Sequence, residues 1–576
     1  MAEAVRGRLK IMLGLFAVLS GLIVIRLTTL QFGSEVPYFE NQYQLATGYL
    51  VTVTPPRGRI FDRNGELLAT NDVKYALGLS PDFVTDTDGL AKILSSVLGK
   101  SYEEMIALIE QQPEGNLKYV LIERPVSAEA GEKLLALQRD PNGPDLNGLI
   151  IEPMQTRVYP NGSLGAHVLG FAGLDNKGYY GVEGYYNDLL AGRPVVGFKQ
   201  VVPFDVALNP DPDQGADLYL TIDREIQLLA ETTLANAVSR YGAVGGEIII
   251  LEPKTGRILA MAVTPSFDPN NYLNDPAALK PNPAVSDQYE PGSTFKVLTM
   301  AAALQSGAVT PQTTYQDTGY IEVGGVGIRN WNGAAWGTQD MTGALQHSLN
   351  VGMAWISTRM GPKTFYDYLT AFGIGQPTNV DLSGEATGRL KHPGDPDWYE
   401  SDLGTNAFGQ GVATTPIQLL AAVSAVANNG AMMQPHLLER VVDGDQVHTT
   451  QPQVLGRPIS ADIAHTLNEM LAVSIEREAS TALVPGYRIA GKTGTAQIPV
   501  PGGYDDRDFI QSFVGWGPVD DPRFIVLIKL NKSGSSIWGS ETAAPVFGEM
   551  AKRLVVLMNI PPDDVRQQLA AQTAGQ

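Results

Sequence analysis

An uninterrupted apolar segment near the N-terminus constrains this chain more than any other feature of its sequence. Residues 11–25, IMLGLFAVLSGLIVI, contain no charged side chain. As a helix, a segment of this length rises about 22 Å, which is short of the roughly 30 Å hydrocarbon core of a bilayer. Arg26 can extend its guanidinium group to the membrane surface, so the helix can continue past it. We therefore predict a transmembrane anchor over residues 11–32.

The basic residues in front of this segment indicate its orientation. Arg6, Arg8 and Lys10 precede the apolar run, and positive charge is retained on the cytoplasmic side of a membrane. We expect a cytoplasmic tail over residues 1–10 and an extracytoplasmic chain after the anchor, which is a single-pass protein of the cell membrane. A cleaved signal peptide is the alternative, but LTTLQFGSE after the apolar run offers no convincing small-x-small cleavage site.

The composition excludes several classes of function. The 576 residues carry 61 acidic and 41 basic side chains, a net charge of −20, and no basic cluster that would bind nucleic acid. There are no cysteines, so disulfides, thiol catalysis and cysteine–metal sites are excluded. The six histidines are scattered without a His-x-x-x-His pair, so we predict neither a metal site nor a cofactor.

The second half of the chain combines strand-like and helical segments. GEIIILEP and RILAMAV predict a β-hairpin, and RIAGKTGTAQI, SFVGWGP and RFIVLIKL predict three strands near the end. Helices are predicted over residues 221–242, with Asp223 in the first turn, and over 415–430. Strands therefore open and close this half, which indicates an α/β domain whose sheet takes chain from both ends.

The first half contains no catalytic constellation. Residues 55–71 predict a hairpin with an Arg-Asn-Gly turn, and amphipathic helices are predicted in LAKILSSVLG, SYEEMIALIEQQ and SAEAGEKLLALQ, the last with Ser127 as its N-cap. These features favour a spacer or interaction module.

The last residues, 561–576, are polar and predict a loose tail.

The segment YEPGSTFKVLTM, residues 289–300, carries the first candidate chemistry. A Pro-Gly pair precedes Ser293, and the apolar run that follows predicts a buried helix with this serine at its N-terminus. Lys296 lies one turn further on the same face, where apolar surroundings would lower its pKa. A neutral lysine can take the serine proton. A serine N-cap followed by a snorkelling lysine is the alternative, since Ser-x-x-Lys is a loose pattern.

A second segment offers a proton relay. Ser348-Leu349-Asn350 is the sole Ser-x-Asn in the sequence and lies between helical stretches. A hydroxyl beside an amide can relay a proton and hold a peptide carbonyl.

A third segment offers a carboxylate site. Lys492-Thr493-Gly494-Thr495 lies on strand-like sequence, where a lysine and two hydroxyls can bind a carboxylate and a glycine lets a ligand approach. A backbone N–H of this strand can join that of Ser293 as an oxyanion hole. The other Lys-Thr-Gly, residues 254–256, joins two predicted strands and is interpreted as a tight turn.

These motifs and several longer segments resemble one protein family. Ser-x-x-Lys, Ser-x-Asn and Lys-Thr-Gly, in this order, resemble the motif set of penicillin-binding proteins and serine β-lactamases. RGRIFDRNGELLA, RVYPNGSLGAHVLGFAG and GVEGYYNDLLAG resemble the non-catalytic pedestal of class B penicillin-binding proteins. AFGQGVATTPIQLLAAVSAVANNG, FVGWGPVDDPRFIVLI and AAPVF resemble their transpeptidase domain. The similarity spans most of the chain.

The resemblance implies a fold and a domain order. We expect a mixed α+β pedestal, of the dimerisation-domain type, over residues 33–220 and a transpeptidase domain over 221–560, with the polar tail after it. The transpeptidase domain is expected to be α/β, an antiparallel sheet flanked by helices. No segment before residue 221 resembles a glycosyltransferase domain, which separates the chain from class A members.

The resemblance also implies an activity, a peptidoglycan D,D-transpeptidase that releases terminal D-Ala from a stem peptide. Ser293 is then the nucleophile, Lys296 the base and Ser348 the proton relay. Asn350 positions the donor peptide, and the terminal carboxylate, or that of a β-lactam, is held by Lys492, Thr493, Gly494 and Thr495. Implied partners are stem peptides, β-lactams, the membrane, a membrane glycan polymerase and cell-division or elongation proteins.

Three alternatives remain open at this level. SLNVG and the YPNGSLGAHVLGF segment look closer to septal than to elongation members. A carboxypeptidase or β-lactamase of the same chemistry would need an acid that activates water, and Glu290 is one candidate. A non-catalytic β-lactam sensor or division scaffold could keep the fold without turnover, although the complete motif set argues against it.

Overall fold

The computed structural model describes residues 2–32, 48–111, 119–200 and 213–574. The chain divides into two compact units, residues 1–56 with 192–215, and residues 57–191 with 216–576. The expected boundaries of pedestal and transpeptidase domain do not coincide with this division and stay predictions.

The strands, in chain order, are β1 (Gly48–Val53), β2 (Ile60–Phe61), β3 (Leu67–Leu79), β4 (Val120–Val126), β5 (Leu149–Val158), β6 (Phe171–Ala172), β7 (Gly178–Tyr179), β8 (Val195–Gln200), β9 (Asp217–Leu220), β10 (Gly245–Leu251), β11 (Ile258–Thr264), β12 (Thr314–Asp317), β13 (Tyr320–Val323), β14 (Val326–Arg329), β15 (Gly337–Asp340), β16 (Met432–Met433), β17 (Leu438–Asp443), β18 (Gln446–Thr449), β19 (Val454–Gly456), β20 (Ala490–Val500), β21 (Gly503–Gly517) and β22 (Phe524–Asn531).

The α-helices are α1 (Ala2–Phe32), α2 (Thr87–Leu98), α3 (Tyr102–Ile109), α4 (Ala128–Arg139), α5 (Ala166–Leu169), α6 (Gly181–Tyr185), α7 (Asn187–Leu190), α8 (Arg224–Tyr241), α9 (Pro283–Ser286), α10 (Lys296–Gln305), α11 (Met341–Gln346), α12 (Asn350–Met360), α13 (Pro362–Ala371), α14 (Glu400–Thr405), α15 (Pro416–Ala427), α16 (Ala461–Glu478), α17 (Ala543–Leu557) and α18 (Asp563–Ala574).

The first unit contains the predicted apolar helix. Within α1, residues Gly7–Thr29 have a mean hydropathy of 2.3, and this helix is long and apolar enough to cross a membrane. Its side chains are exposed along the span, as expected for a helix that faces lipid. The same unit holds a two-stranded antiparallel ladder of β1 and β8.

The second unit is built around a five-stranded antiparallel sheet in the order β11-β10-β22-β21-β20. Its strands come from both ends of the second half of the chain, which confirms the expected α/β arrangement. The Lys254-Thr255-Gly256 copy lies in the β10–β11 connection, with Gly256 at φ +81°, so it forms the expected turn. Strand β20, which carries the other copy, lies at the edge of the sheet.

Both faces of this sheet are covered, which explains why its strands carry uninterrupted apolar runs such as residues 248–251. Successive side chains of a strand point to opposite faces. Ile248 and Ile250 accordingly pack with α8 and α17, whereas Ile249 and Leu251 belong to a larger core that contains α10 and α15. Helix α10 is therefore buried on all sides, and this fixes the surroundings of its first residue, Lys296.

A second sheet joins early and late parts of the chain. Its order is β18-β17-β9-β2-β3-β4, with β5 also paired to β3. The hairpin predicted over residues 55–71 is confirmed by β2 and β3, and Ser127 caps α4 by accepting from the Ala130 N–H. Asp223 likewise caps α8, where its carboxylate accepts from two backbone N–H groups.

The C-terminal prediction is wrong over most of its length. Residues 563–574 form α18 rather than a loose tail. Asp563 anchors its start, since its N–H donates to the Gly486 carbonyl and its carboxylate accepts from the Arg488 N–H at 2.7 Å. Polarity alone indicated a tail, but acidic residues in a first turn followed by Gln and Ala also favour a helix.

A buried charge cluster ties the early strands to α6. The Glu183 carboxylate, fully buried, lies 2.5 Å from Arg57 Nε and 2.6 Å from Arg157 Nε, and the Tyr159 hydroxyl donates to it. Burial alone would raise the pKa of Glu183, but the two guanidinium groups outweigh it and the net shift is downward. Without Glu183, both buried guanidinium groups would lose their carboxylate partner.

We expect Glu183→Ala to destabilise the protein by about 3–5 kcal/mol, because two guanidinium groups would remain buried without their carboxylate. Thermal unfolding of the full chain in detergent measures this effect. The matched control is Asp367→Ala, which removes the exposed Lys363–Asp367 pair and should cost less than about 1 kcal/mol. Equal losses in both variants would contradict the structural importance of the cluster.

Candidate active site

The predicted nucleophile sits in a tight turn against the edge strand. Residues Gly292–Phe295 form a single 3₁₀ turn that leads directly into α10. Gly292 has φ +56°, and a Cβ on it would come within 2.9 Å of the Thr495 carbonyl oxygen. Only glycine therefore lets the turn approach β20 this closely. Ser293 lies in the turn that starts this buried helix, as predicted, and it is half-buried and faces a cleft.

Lys296 is fully buried, although no carboxylate is bonded to it in the described part of the chain. Its Nζ lies 2.6 Å from the Ser348 carbonyl oxygen, 2.8 Å from Asn350 Oδ1 and 3.1 Å from Ser348 Oγ. All these partners are neutral. Burial, and secondly the positive charge of Lys492, hold the pKa of Lys296 well below its usual range.

The partners of Lys296 fit a neutral amine. Such an amine has two N–H groups, which match the two carbonyl oxygens of Ser348 and Asn350. Its lone pair then remains for the Ser348 hydroxyl, which can donate to it. Among the described residues, the hydrogen bonds of Lys296 therefore go to the Ser-x-Asn segment rather than to Ser293, and catalytic contacts of this kind commonly tighten only when substrate binds.

The Ser-x-Asn segment is shaped to meet Lys296. Ser348 lies between α11 and α12 with φ +53°, an unusual value for a non-glycine residue that costs about 1–3 kcal/mol. This conformation lets both its carbonyl and its hydroxyl reach the same amine. Asn350, the first residue of α12, is fixed by a second bond, from its Nδ2 to the Arg329 carbonyl at 3.1 Å.

Strand β20 presents hydroxyls to the cleft and buries its lysine. Thr493 and Thr495 line the cleft, whereas Lys492 is 4% exposed, with its Nζ donating to the Thr493 carbonyl and hydroxyl. Burial lowers the pKa of Lys492 to about 8, and the negative charge of Glu478 opposes this shift. Thr495 Oγ1 accepts from the Gly539 N–H at 3.1 Å, which leaves its own proton for a ligand.

Gly494 has a packing role between these threonines. A Cβ at this position would meet Ser512 Oγ at 2.2 Å and the Thr294 methyl at 2.9 Å. The glycine therefore permits close contact between β20, β21 and the serine turn.

One cleft of about 520 Å³ brings most of the predicted residues together. Ser293, Ser348, Asn350, Thr493 and Thr495 line it. Lys296 and Lys492 lie buried behind these hydroxyls, at the back of the site. The arrangement places a cleft-facing serine, a desolvated amine, a relay hydroxyl and a strand with a lysine in one place. Their catalytic roles stay a prediction at this point.

The cleft also contains residues that sequence reasoning missed. An aromatic rim is formed by Trp331 and Trp538, whose rings meet edge to face at 5.1 Å, with Trp336 stacked on His347 at 4.1 Å. Glu478, at the end of α16, closes one wall. These residues lie on separate loops and helices and follow no motif, so the sequence alone carries no signal for them.

Glu290, the acid considered for water activation, is engaged elsewhere. Its Oε1 accepts from the Gly411 N–H at 2.9 Å, and the Tyr504 hydroxyl lies 3.1 Å from its Oε2. The cleft wall, in the part of the chain that the structure describes, includes Glu478 and Glu541 but not Glu290.

Two family models match the chain. The penicillin binding protein transpeptidase domain matches residues 246–552, and the penicillin-binding protein dimerisation domain matches residues 52–205. The first of these ranges contains every predicted site residue.

Curated relatives align over most of their length. Stage V sporulation protein D of Bacillus subtilis is 35% identical over 534 residues, which cover 88% of this chain and 79% of that protein. Peptidoglycan D,D-transpeptidase FtsI of Escherichia coli is 30% identical, with 89% of this chain and 85% of that protein covered.

Solved structures share the fold. Penicillin binding protein 3 of Mycobacterium tuberculosis, complexed with aztreonam, has a TM-score of 0.69 at 27% identity and covers 89% of this chain and 98% of that one. Penicillin Binding Protein 2X of Streptococcus thermophilus has a TM-score of 0.74 at 25% identity, with 88% and 80% covered.

Replacing Lys296 should reveal whether its burial serves stability. We expect Lys296→Met to lower the free energy of unfolding by about 1–2 kcal/mol, because the Ser348 carbonyl and Asn350 Oδ1 lose a donor but no buried charge is left without its partner. The matched control is Lys529→Met. Lys529 is equally buried but lies 2.9 Å from buried Glu247, so its loss should cost about 3–5 kcal/mol. Thermal unfolding of both variants measures the difference, and a large loss for Lys296→Met would assign this lysine a structural role.

Proposed function

This chain belongs to the class B penicillin-binding proteins, and we propose that it is a peptidoglycan D,D-transpeptidase that acts through a Ser293 acyl-enzyme. The observation that carries the proposal is Lys296, a buried amine with neutral partners behind a cleft-facing serine. The family match covers the residues around it. The M. tuberculosis structure with aztreonam supports inhibition by β-lactams, which would acylate the same serine.

In the first step, the Ser293 oxygen attacks the carbonyl of the penultimate D-Ala of a stem peptide. Lys296 takes the serine proton, and a backbone N–H of Ser293 and one of β20 stabilise the oxyanion. The peptide C–N bond breaks, and the Ser348 hydroxyl, in contact with Lys296, passes a proton to the departing D-Ala amine.

In the second step, the amine of another stem peptide attacks the ester. A new amide bond forms, the bond to Ser293 breaks, and the proton released by the amine returns to the serine through the same groups. The cross-link is thereby formed and the enzyme is regenerated.

Substrate recognition is assigned to the Ser-x-Asn segment and to β20. The Asn350 amide orients the donor peptide, and the hydroxyls of Thr493 and Thr495 donate to its terminal carboxylate. Lys492 supplies positive charge from behind them, since its amine is buried and bonded to Thr493. Gly494 lets the strand pack closely enough for this arrangement.

The cellular setting forms part of the proposal. α1 anchors the chain in the cell membrane, with the basic N-terminus cytoplasmic and the catalytic cleft extracytoplasmic. We favour a septal over an elongation role, on the resemblance of SLNVG and YPNGSLGAHVLGF to septal members. A membrane glycan polymerase and cell-division proteins are the proposed partners of the region before residue 221.

A fluorescent penicillin tests the nucleophile. We expect one stable adduct on Ser293 of the full chain in detergent, located by mass spectrometry, and no adduct in Ser293→Ala. The matched control is Ser348→Ala, which removes the relay hydroxyl. This variant should be labelled more slowly, but the adduct should still form on Ser293.

The same experiment separates the alternatives. Loss of the label within seconds, with release of hydrolysed penicillin, would indicate a β-lactamase. The absence of any adduct would favour a non-catalytic scaffold. A stable adduct without cross-linking of stem peptides would favour a sensor.

Acylation should depend on pH in both directions. As pH falls through the lowered pKa of Lys296, the amine takes a proton and the rate falls. As pH rises through about 8, Lys492 loses its proton and its attraction for the substrate carboxylate, so the rate falls again. The second-order rate constant measured across this range should decline about tenfold per unit on the alkaline side. An alkaline limb that is absent up to about pH 9.5 would contradict the role of Lys492.

A further inference from the structure

Glu478, the last residue of α16, forms part of the cleft wall but has no place in the steps above. Its Oε1 lies 3.1 Å from His347 Nδ1 and 3.4 Å from Gln346 Nε2. The side chain is 48% exposed, so this carboxylate is accessible from the cleft. The Glu478 carboxylate is therefore close to His347 Nδ1, but the two atoms are not aligned as a hydrogen bond.

These contacts reach the residues directly before Ser348. Gln346 also accepts from Arg477 at 3.1 Å, so two successive residues of α16 hold the end of α11. The His347 ring stacks on Trp336, and its carbonyl accepts from Trp331 Nε1 at 3.1 Å. The backbone is thus fixed where it enters the strained conformation of Ser348.

Helix α16, which ends at Glu478, packs against β20, which carries Lys492. Burial lowers the pKa of Lys492 and the charge of Glu478 opposes this shift, while the positive charge of Lys492 lowers the pKa of Lys296. His347 is the further titratable group beside Glu478, from α11. The neighbouring Glu476 is directed to Arg488, at 3.4 Å.

We propose that Glu478 is a positioning residue that links the two motif segments, holding the approach to Ser348 and placing a negative charge on the helix that packs against the strand of Lys492. The proposal rests on the transpeptidase assignment of this site and adds a residue to it. An exposed ion pair with no effect on the reaction is the ordinary alternative, because such pairs commonly contribute little.

The test compares acylation rates of Glu478→Gln and wild type across pH. The amide keeps the size of the side chain and can still bond to its neighbours, so packing is retained while the charge is lost. Without that charge, Lys492 loses its proton at lower pH. We expect acylation by penicillin to be about threefold to tenfold slower than wild type near pH 8.5 and within about twofold near pH 6.5.

Two variants and one ligand serve as controls. Glu476→Gln removes an equally exposed carboxylate of the same helix and should leave the profile unchanged. Glu478→Asp keeps the charge and should restore most of the alkaline rate. With the methyl ester of the penicillin, which lacks the carboxylate, the difference between Glu478→Gln and wild type should disappear.

Two results would overturn the proposal. One is an acylation rate of Glu478→Gln that equals the wild-type rate at every pH, and the other is a rate that is reduced by the same factor at every pH. The second result would mark a purely structural contact. Failure of the underlying assignment is distinguishable, because Ser293→Ala would then still be labelled or wild type would not be labelled at all.

Discussion

The desolvation of Lys296 is the constraint on which the rest of the site depends. A buried lysine normally has a carboxylate partner, as Lys529 has Glu247 in the same domain. Lys296 has only neutral oxygens, so its neutral form is favoured. The neutral state requires a helix with apolar surroundings on every side. Helix α10 meets this requirement because it lies between the five-stranded sheet and the surrounding helices.

The shape of the Ser-x-Asn segment follows from this requirement. A neutral amine in an apolar site still needs its hydrogen bonds satisfied, and the left-handed conformation of Ser348 brings a carbonyl and a hydroxyl to one atom. Asn350 completes the set while being fixed on its other side by Arg329. Backbone strain at Ser348 is therefore a consequence of where Lys296 lies.

The sequence predicted much of this site because its motifs are local. A Pro-Gly pair before an apolar run places Ser293 and Lys296, and the alternation and apolarity of the late segments indicate strands, as β20, β21 and β22 confirm. The features of the site that the sequence could not predict depend on contacts between residues that are far apart in the sequence. The burial of Lys492 requires the packing of α16 and the serine turn against β20, and Glu478 meets His347 across 130 intervening residues.

The electrostatics of the site act against the charge of the whole protein. A net charge of −20 repels an anionic substrate at long range, and at physiological ionic strength this field is screened within about 8 Å. Attraction for a terminal carboxylate must then arise inside the cleft. Lys492 provides it from behind the threonine hydroxyls, but burial favours loss of its proton. The carboxylate of Glu478, which lies on the cleft wall, opposes this loss through its negative charge.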